Sequence, residues 1–302
     1  MANFLNPLDV NFTYGYDFEK LNFRSSDDST FHCYYNRAKY LPISFKNECI
    51  KTSHAIADMA ASLNRVPVIL LSGGLDSEVV LRSFLESGRK FKTITNRFDN
   101  DLNRHEIDHV LDFAQEKNID VEFFDLSILK WLGSNESLEM AEISKCAYSE
   151  MLPTMKLIHE VYFNLNGLPI LGNGDFYATI ENGEWRYIEF EYILAWMRYC
   201  NQKNIISAVN FFQLTPEITL SMALDPLIQN TISTKKHPNL RSTKYLVYKK
   251  NWIDVKIRKK YNGAELIQSI CDTMNQKHLI KYKNYTSRWS IPLDQYIESL
   301  LP

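Results

Sequence analysis

The sequence predicts an α/β fold: a parallel, doubly wound sheet followed by a mostly helical C-terminal region. Three observations predict it. Between residues 66 and 171, short apolar runs alternate with amphipathic stretches, the pattern of right-handed βαβ units whose strands are covered on both faces. Two of those runs end in glycine loops, at 72–74 and 172–174. Beyond about residue 180 the alternation gives way to a hairpin signal and helical periodicities.

The elements follow in order. Residues 1–50 are rich in aromatics (Phe12, Tyr14, Tyr16, Phe18, Phe23, Phe31, Tyr34, Tyr35), and their partial alternation predicts short strands. From about 47 to 63, Ile50, His54, Ile56, Ala57 and Ala60 recur at helical spacing. Val66 to Leu71 reads as a buried parallel strand. The next helix starts near Asp76, carries Val80, Leu81, Phe84 and Leu85 on one stripe, and stops at Gly88, a natural C′ residue. Residues 91–98 read as a second strand. A helix over about 104–117 follows, with Ile107, Val110, Leu111 and Ala114 inward. Residues 121–126 form a third strand. Met155, Ile158, Tyr162 and Leu165 mark another helix, and 168–171 the fourth strand. Asn182-Gly183, between apolar runs at 177–180 and 185–190, is a strong hairpin turn. Helices are then expected over about 191–202, 216–230 and 263–277, the second with Thr215 as N-cap and Pro216 at N1. The expected divisions are an N-terminal extension at 1–62, an α/β domain at 63–180 and a mostly helical region at 181–302.

Composition sets bounds on this reading. The chain has 302 residues, 45% hydrophobic and 23% charged, with a formal net charge of -2. This is ordinary for a globular protein with a real core, and overall charge does not point to nucleic acid or membrane. Five widely spaced cysteines without a C-x-x-C pair argue against a disulfide framework and for a reducing, cytoplasmic setting. The first twenty residues lack an apolar leader segment, and the longest apolar run is far too short to span a bilayer.

In open parallel sheets, ligands sit beyond the carboxyl ends of the strands, where both glycine loops fall. In Ser72-Gly73-Gly74-Leu75-Asp76-Ser77, two glycines let an anion approach the backbone N–H groups. The helix that follows aims its positive end at the same point. The hydroxyls of Ser72 and Ser77 offer further donors. Asp76 suits either a helix cap or a Mg²⁺ bound to polyphosphate. The loop is not a Walker A, since no lysine follows the glycines.

Ser72 to Ser77 resembles the SGGxDS pyrophosphate loop of the N-type ATP pyrophosphatases, the PP-loop superfamily. Within it, the leucine makes the synthetase domain of asparagine synthetase the most similar. The resemblance implies an adenine nucleotide alpha hydrolase-like fold. It also implies cleavage of ATP between the α- and β-phosphates, adenylation of a carboxylate or carbonyl oxygen, and displacement of AMP by an amine. ATP and Mg²⁺ are the implied cofactors. Gly172-Asn173-Gly174-Asp175 is similar to that family's G-x-G-x-D-E loop, with Phe176 where a glutamate is expected, and Glu78 replaces the usual serine after the first motif. Leu224-Asp225-Pro226-Leu227 with basic residues downstream is a vaguer likeness. The implied nucleotide-binding residues are Leu71, Ser72, Gly73, Gly74, Leu75, Asp76, Ser77, Phe98, Gly172, Asn173 and Gly174. Asp76 and Asp175 are the implied Mg²⁺ ligands. Asp76 with a basic residue among Lys244, Arg258 and Lys260 carries catalysis, and adenine falls near Asn96 to Phe98. Residue 2 is Ala2 where glutamine-dependent members have a catalytic cysteine, so nitrogen is expected from free ammonia, another amine or a separate glutaminase.

Other motifs admit plainer readings. His105-Glu106-Ile107-Asp108-His109 matches the zinc-protease pattern H-E-x-x-H, but the helical wheel turns both histidines to solvent and no third ligand is evident. Glu106, three residues after Asn103, reads as half of a capping box. The basic stretch 235–260, interleaved with Tyr245, Tyr248, Trp252 and Tyr261, suits either a solvated face or an RNA-binding one. Cys146 is the one candidate for sulfur transfer and reads more simply as core. Three functions follow: an aminating ligase acting on a small-molecule carboxylate, a tRNA- or nucleobase-modifying enzyme, or a nucleotide-binding module without catalysis.

Overall fold

The computed structural model describes residues 12–16, 19–20, 23–26, 28–235, 237–256 and 264–302. The strands are β1 (Phe12–Tyr16), β2 (Glu19–Lys20), β3 (Phe31–Tyr35), β4 (Val66–Leu70), β5 (Lys92–Phe98), β6 (Glu122–Leu126), β7 (Gly167–Ile170), β8 (Ala178–Glu181), β9 (Glu184–Phe190) and β10 (Arg288–Pro292). The helices are α1 (Phe45–Ser62), α2 (Leu75–Ser87), α3 (Arg104–Lys117), α4 (Ile128–Trp131), α5 (Asn135–Ser144), α6 (Leu152–Phe163), α7 (Ala195–Lys203), α8 (Pro216–Ala223), α9 (Pro226–Thr234), α10 (Arg241–Asn251), α11 (Gln268–Met274) and α12 (Leu293–Leu300).

The central sheet is parallel, in the order β6-β5-β4-β7. Its α/β character follows from the buried runs. Side chains of β4 alternate between faces with the period of two that a strand imposes. Ile69 packs into a core with Ile56, Val79, Val80 and Phe84 of α1 and α2. Val68 and Leu70 pack on the other face with Ile94, Met155 and Ile158. Ser44 caps α1 by accepting from the Asn47 N–H at 3.2 Å. Gly88 ends α2 in the left-handed conformation expected of it, φ +67°.

Strand order places the site. From β4 the chain winds outward through β5 to β6, then crosses back to lay β7 on the other side of β4. The loops after β4 and β7 therefore flank the reversal, where such sheets bind ligands.

The hairpin forms as expected, β8 against β9 with Asn182 and Gly183 both at positive φ, and Thr215 caps α8. Four details differ. The helix expected over 216–230 is two, because Asp225 leaves helical geometry, caps α9 and precedes Pro226, which cannot continue α8. Leu111 is exposed and Phe113 takes its place on the inner face of α3. The helix expected over 263–277 begins at Gln268. The C-terminal region also contains a three-stranded sheet, β10-β9-β8; the short β10 has no alternation strong enough to betray it. One core runs on from Ile69 to Trp185, Tyr187 and Tyr296. Among the described residues, no helix is long and apolar enough to cross a membrane.

Candidate active site

The loop after β4 folds as its glycines demand. Gly73 has φ +67°, and a Cβ there would lie 2.7 Å from the Glu106 carbonyl oxygen. Ser72 remains exposed, whereas Ser77 is buried and donates to the Gly74 carbonyl at 2.9 Å. Ser77 therefore ties the loop together, which leaves only Ser72 in the expected role of an open hydroxyl. No side chain caps α2, so Asp76 is not a cap. At Gly172 a Cβ would lie 2.8 Å from the Asp76 backbone carbonyl. The two glycine loops thus touch, and Asp76 and Asp175 are brought to one place.

Helix α10 completes that place. Lys244 and Tyr248, at i and i+4, share one face of α10, with Arg241 three residues before Lys244. The Lys244 ammonium, almost fully buried, donates to Asp76 Oδ1 at 2.9 Å and to Asp175 Oδ2 at 2.5 Å. The Tyr248 hydroxyl donates to the same Asp76 oxygen at 2.7 Å. Burial works against the lysine's charge, but the carboxylates of Asp175 and Asp76 outweigh it and hold its pKa above the ordinary value. Burial also pushes the Tyr248 phenol well up, so it stays a donor. Sequence reasoning missed Tyr248; its spacing from Lys244 was visible, but not which face of α10 would turn inward.

Two adjoining depressions open at the strand ends. One is lined by Leu71, Ser72, Thr95, Asn96 and Phe98, and so includes both ends of the Asn96 to Phe98 segment expected near adenine. Its wall is held by Thr95 Oγ1 donating to the Leu71 carbonyl at 2.7 Å and by the Phe98 N–H donating to Asn103 Oδ1 at 2.9 Å. The other is lined by Gly73, Gly74, Leu75, Asp76, Gly172, Asn173 and Asp175. Ser72, Glu106, Glu150 and Thr154 line both.

Glu106 corrects an expectation. Asn103 spends its side chain on β5, not on α3, so no capping box forms, and Glu106 faces the cleft. Burial, reinforced by the charge of Glu265, raises its carboxyl to about 8. The histidines beside it are not turned to open solvent. His105 meets Glu265 at 3.2 Å and His109 lines the cleft. Among the described residues, no group of three or more His, Cys, Asp or Glu is placed to hold a metal ion.

The remaining candidates disperse. Lys250 pairs with Asp225, Lys256 with Glu116, and Lys235 donates to the Gly183 carbonyl, so the basic stretch is split among separate partners. Asp225 serves as the α9 cap, away from any phosphate role. Arg258 and Lys260, with Lys236, Lys259 and Tyr261, lie outside the described residues. Glu78 forms a buried pair with Arg82 at 2.8 Å. Phe176 fills core space against Tyr187 and Tyr296. All five cysteines are buried thiols, and burial pushes Cys146 up to about 11, the opposite of an activated sulfur nucleophile.

The parallel sheet flanked by helices is consistent with the PP-loop, nucleotide alpha hydrolase-like class of α/β fold. Residues 66–159 match the family model of the queuosine biosynthesis protein QueC, a family within the PP-loop ATP pyrophosphatase superfamily. The match covers less than a third of the chain. It spans β4 to α6, including the loop at Ser72 to Ser77, and stops before Asp175 and Lys244. It supports the superfamily and ATP use, and gives no support to the narrower likeness to asparagine synthetase. No curated protein matches the chain.

Proposed function

We propose that this protein is an ATP-using enzyme that splits ATP between the α- and β-phosphates to activate an oxygen of a nucleobase-class substrate, free or in RNA, for attack by an amine or ammonia. The observation that carries the reading is the meeting of Asp76, Asp175 and Lys244 where the two glycine loops touch. The queuosine-biosynthesis match at 66–159 favours a nucleobase over an amino acid as acceptor.

The backbone N–H groups of residues 73–77, at the N-terminus of α2, receive the β- and γ-phosphates. Asp76 and Asp175 are hard oxygen donors, the set a Mg²⁺ uses when phosphates supply its other ligands. Bound there, Mg²⁺ would neutralise charge on the departing pyrophosphate. Lys244 holds a fixed positive charge beside the same phosphates. Because it is buried and already oriented by two carboxylates, it needs no reorganisation as charge develops. Adenine lies against Thr95 to Phe98.

The test is pyrophosphate release from ATP and Mg²⁺ with ammonia present, using separate pools of nucleobases, tRNA and amino acids. Release dependent on the nucleobase or tRNA pool is expected. Release with amino acids alone would return the asparagine synthetase-like reading, and ATP binding without release in any pool would leave a nucleotide-binding module.

A further inference from the structure

A third cavity adjoins the loop at 172–175 and shares Asn173 and Asp175 with the nucleotide cleft. Its chemistry differs from that of the phosphate site. Three aromatic rings, Tyr177, Phe190 and Tyr192, contribute to its lining, and Glu189 sits in its wall. Glu189 is almost fully buried, which normally requires a carboxylate to be well paired.

The pairing is lopsided. Tyr187, Gln213 and Tyr35 all donate to Oε1, the last at 3.1 Å, while Oε2 receives no hydrogen bond among the described residues. Gly174 holds the arrangement: it has φ +79°, and a Cβ there would lie 2.6 Å from the Gln213 side-chain oxygen. The loop that carries Asp175 is therefore packed on the residue that orients Glu189. Burial raises the Glu189 carboxyl to about 7, partly opposed by its hydrogen bonds from Tyr187 and Tyr35. A carboxylate with one oxygen saturated and the other facing a cavity lacks a donor, and the aromatic lining suits a flat ring.

We propose that this cavity is the acceptor pocket, and that Glu189 Oε2 receives an N–H of a planar, amino-bearing heterocycle lying among Tyr177, Phe190 and Tyr192. The inference rests on the ATP-dependent reading above and deepens it. The shared residues Asn173 and Asp175 place the ring beside the phosphates of ATP. Arg241, at the mouth and on the same stretch of α10 as Lys244, is available to an anionic substituent.

The experiment compares 2-aminopyrimidine with pyrimidine, rings that differ only in the amino group, by ligand-observed NMR on the full chain with and without Mg-ATP. 2-Aminopyrimidine should bind more tightly by about tenfold, or about 1.4 kcal/mol. In Glu189→Gln the three donors keep the amide oxygen on their side and turn its NH₂ to the cavity, so the preference should vanish. Tyr177→Ala, which leaves the buried hydrogen bonds alone, should weaken both rings together. Equal binding of the two rings by the parent protein, or a preference that survives in Glu189→Gln, would overturn the proposal. Ring binding that persists in a chain unable to bind Mg-ATP would instead count against the ATP-dependent reading alone.

Discussion

Lys244 and Asp76, 168 positions apart in the chain, meet at 2.9 Å with the lysine almost fully buried. Asp175 takes the same ammonium from the other side. Two carboxylates this close repel one another unless a cation lies between them, so the lysine supports the site structurally as well as electrostatically.

Lys244→Met should therefore fail twice. Removing one partner of a buried charge cluster costs about 3 kcal/mol, measurable as a drop in the urea midpoint. Pyrophosphate release should fall by about 10²-fold or more, the scale expected for losing a preorganised charge at the reacting centre. Unchanged release would remove Lys244 from the mechanism.

Gly73→Ala should cost more than Gly88→Ala, although both sites have φ +67°. Each substitution carries about 1–2 kcal/mol of left-handed strain. Only at Gly73 would the new methyl meet backbone, the Glu106 carbonyl at 2.7 Å, whereas nothing lies within 4 Å at Gly88. ATP binding should be lost in the first variant and kept in the second. Equal thermal shifts with ATP binding retained in both would contradict this geometry.

Stability should decline as pH rises from about 5 to 9. Glu106 is raised from an ordinary 4.5 to about 8 in the folded chain, first by burial and then by Glu265. The folded state therefore binds its proton more tightly than the unfolded state does. The resulting stability is complete below the ordinary value and is lost as pH rises through about 8. Glu189, raised to about 7, acts in the same direction. Glu106→Gln should flatten the curve between the ordinary value and about pH 8, and because Glu106 lines the cleft, it should also relieve a loss of ATP affinity at alkaline pH. A melting profile identical to that of the parent would show that Glu106 does not titrate in this window.

A zinc chelator such as 1,10-phenanthroline should leave ATP turnover unchanged, while removal of magnesium should abolish it. His105→Ala with His109→Ala should be active. Loss of turnover with the zinc chelator, restored by added zinc, would revive the H-E-x-x-H motif.

Local pattern and tertiary context contributed different things. The βαβ series, the stops at Gly88 and Asn182-Gly183, and the strand–glycine loop–helix unit at Ser72 to Ser77 were legible, because each depends on nearby residues: strand burial and a positive φ. The departures share one cause. Asn103 turns to β5 instead of capping α3, which frees Glu106 to face the cleft. Leu111 yields its buried place to Phe113 because packing partners, not spacing alone, choose between neighbouring positions on a helix. Lys244 could not be separated from the other basic residues of its stretch by sequence, since what singles it out is a contact across 168 positions. Glu189 gave no sequence signal, because its place depends on Tyr35, Tyr187 and Gln213 arriving from separate parts of the chain. Short-range stereochemistry wrote the fold class and the glycine loop after β4 into the sequence. Which distant charges would be buried together was decided only when the chain closed around them.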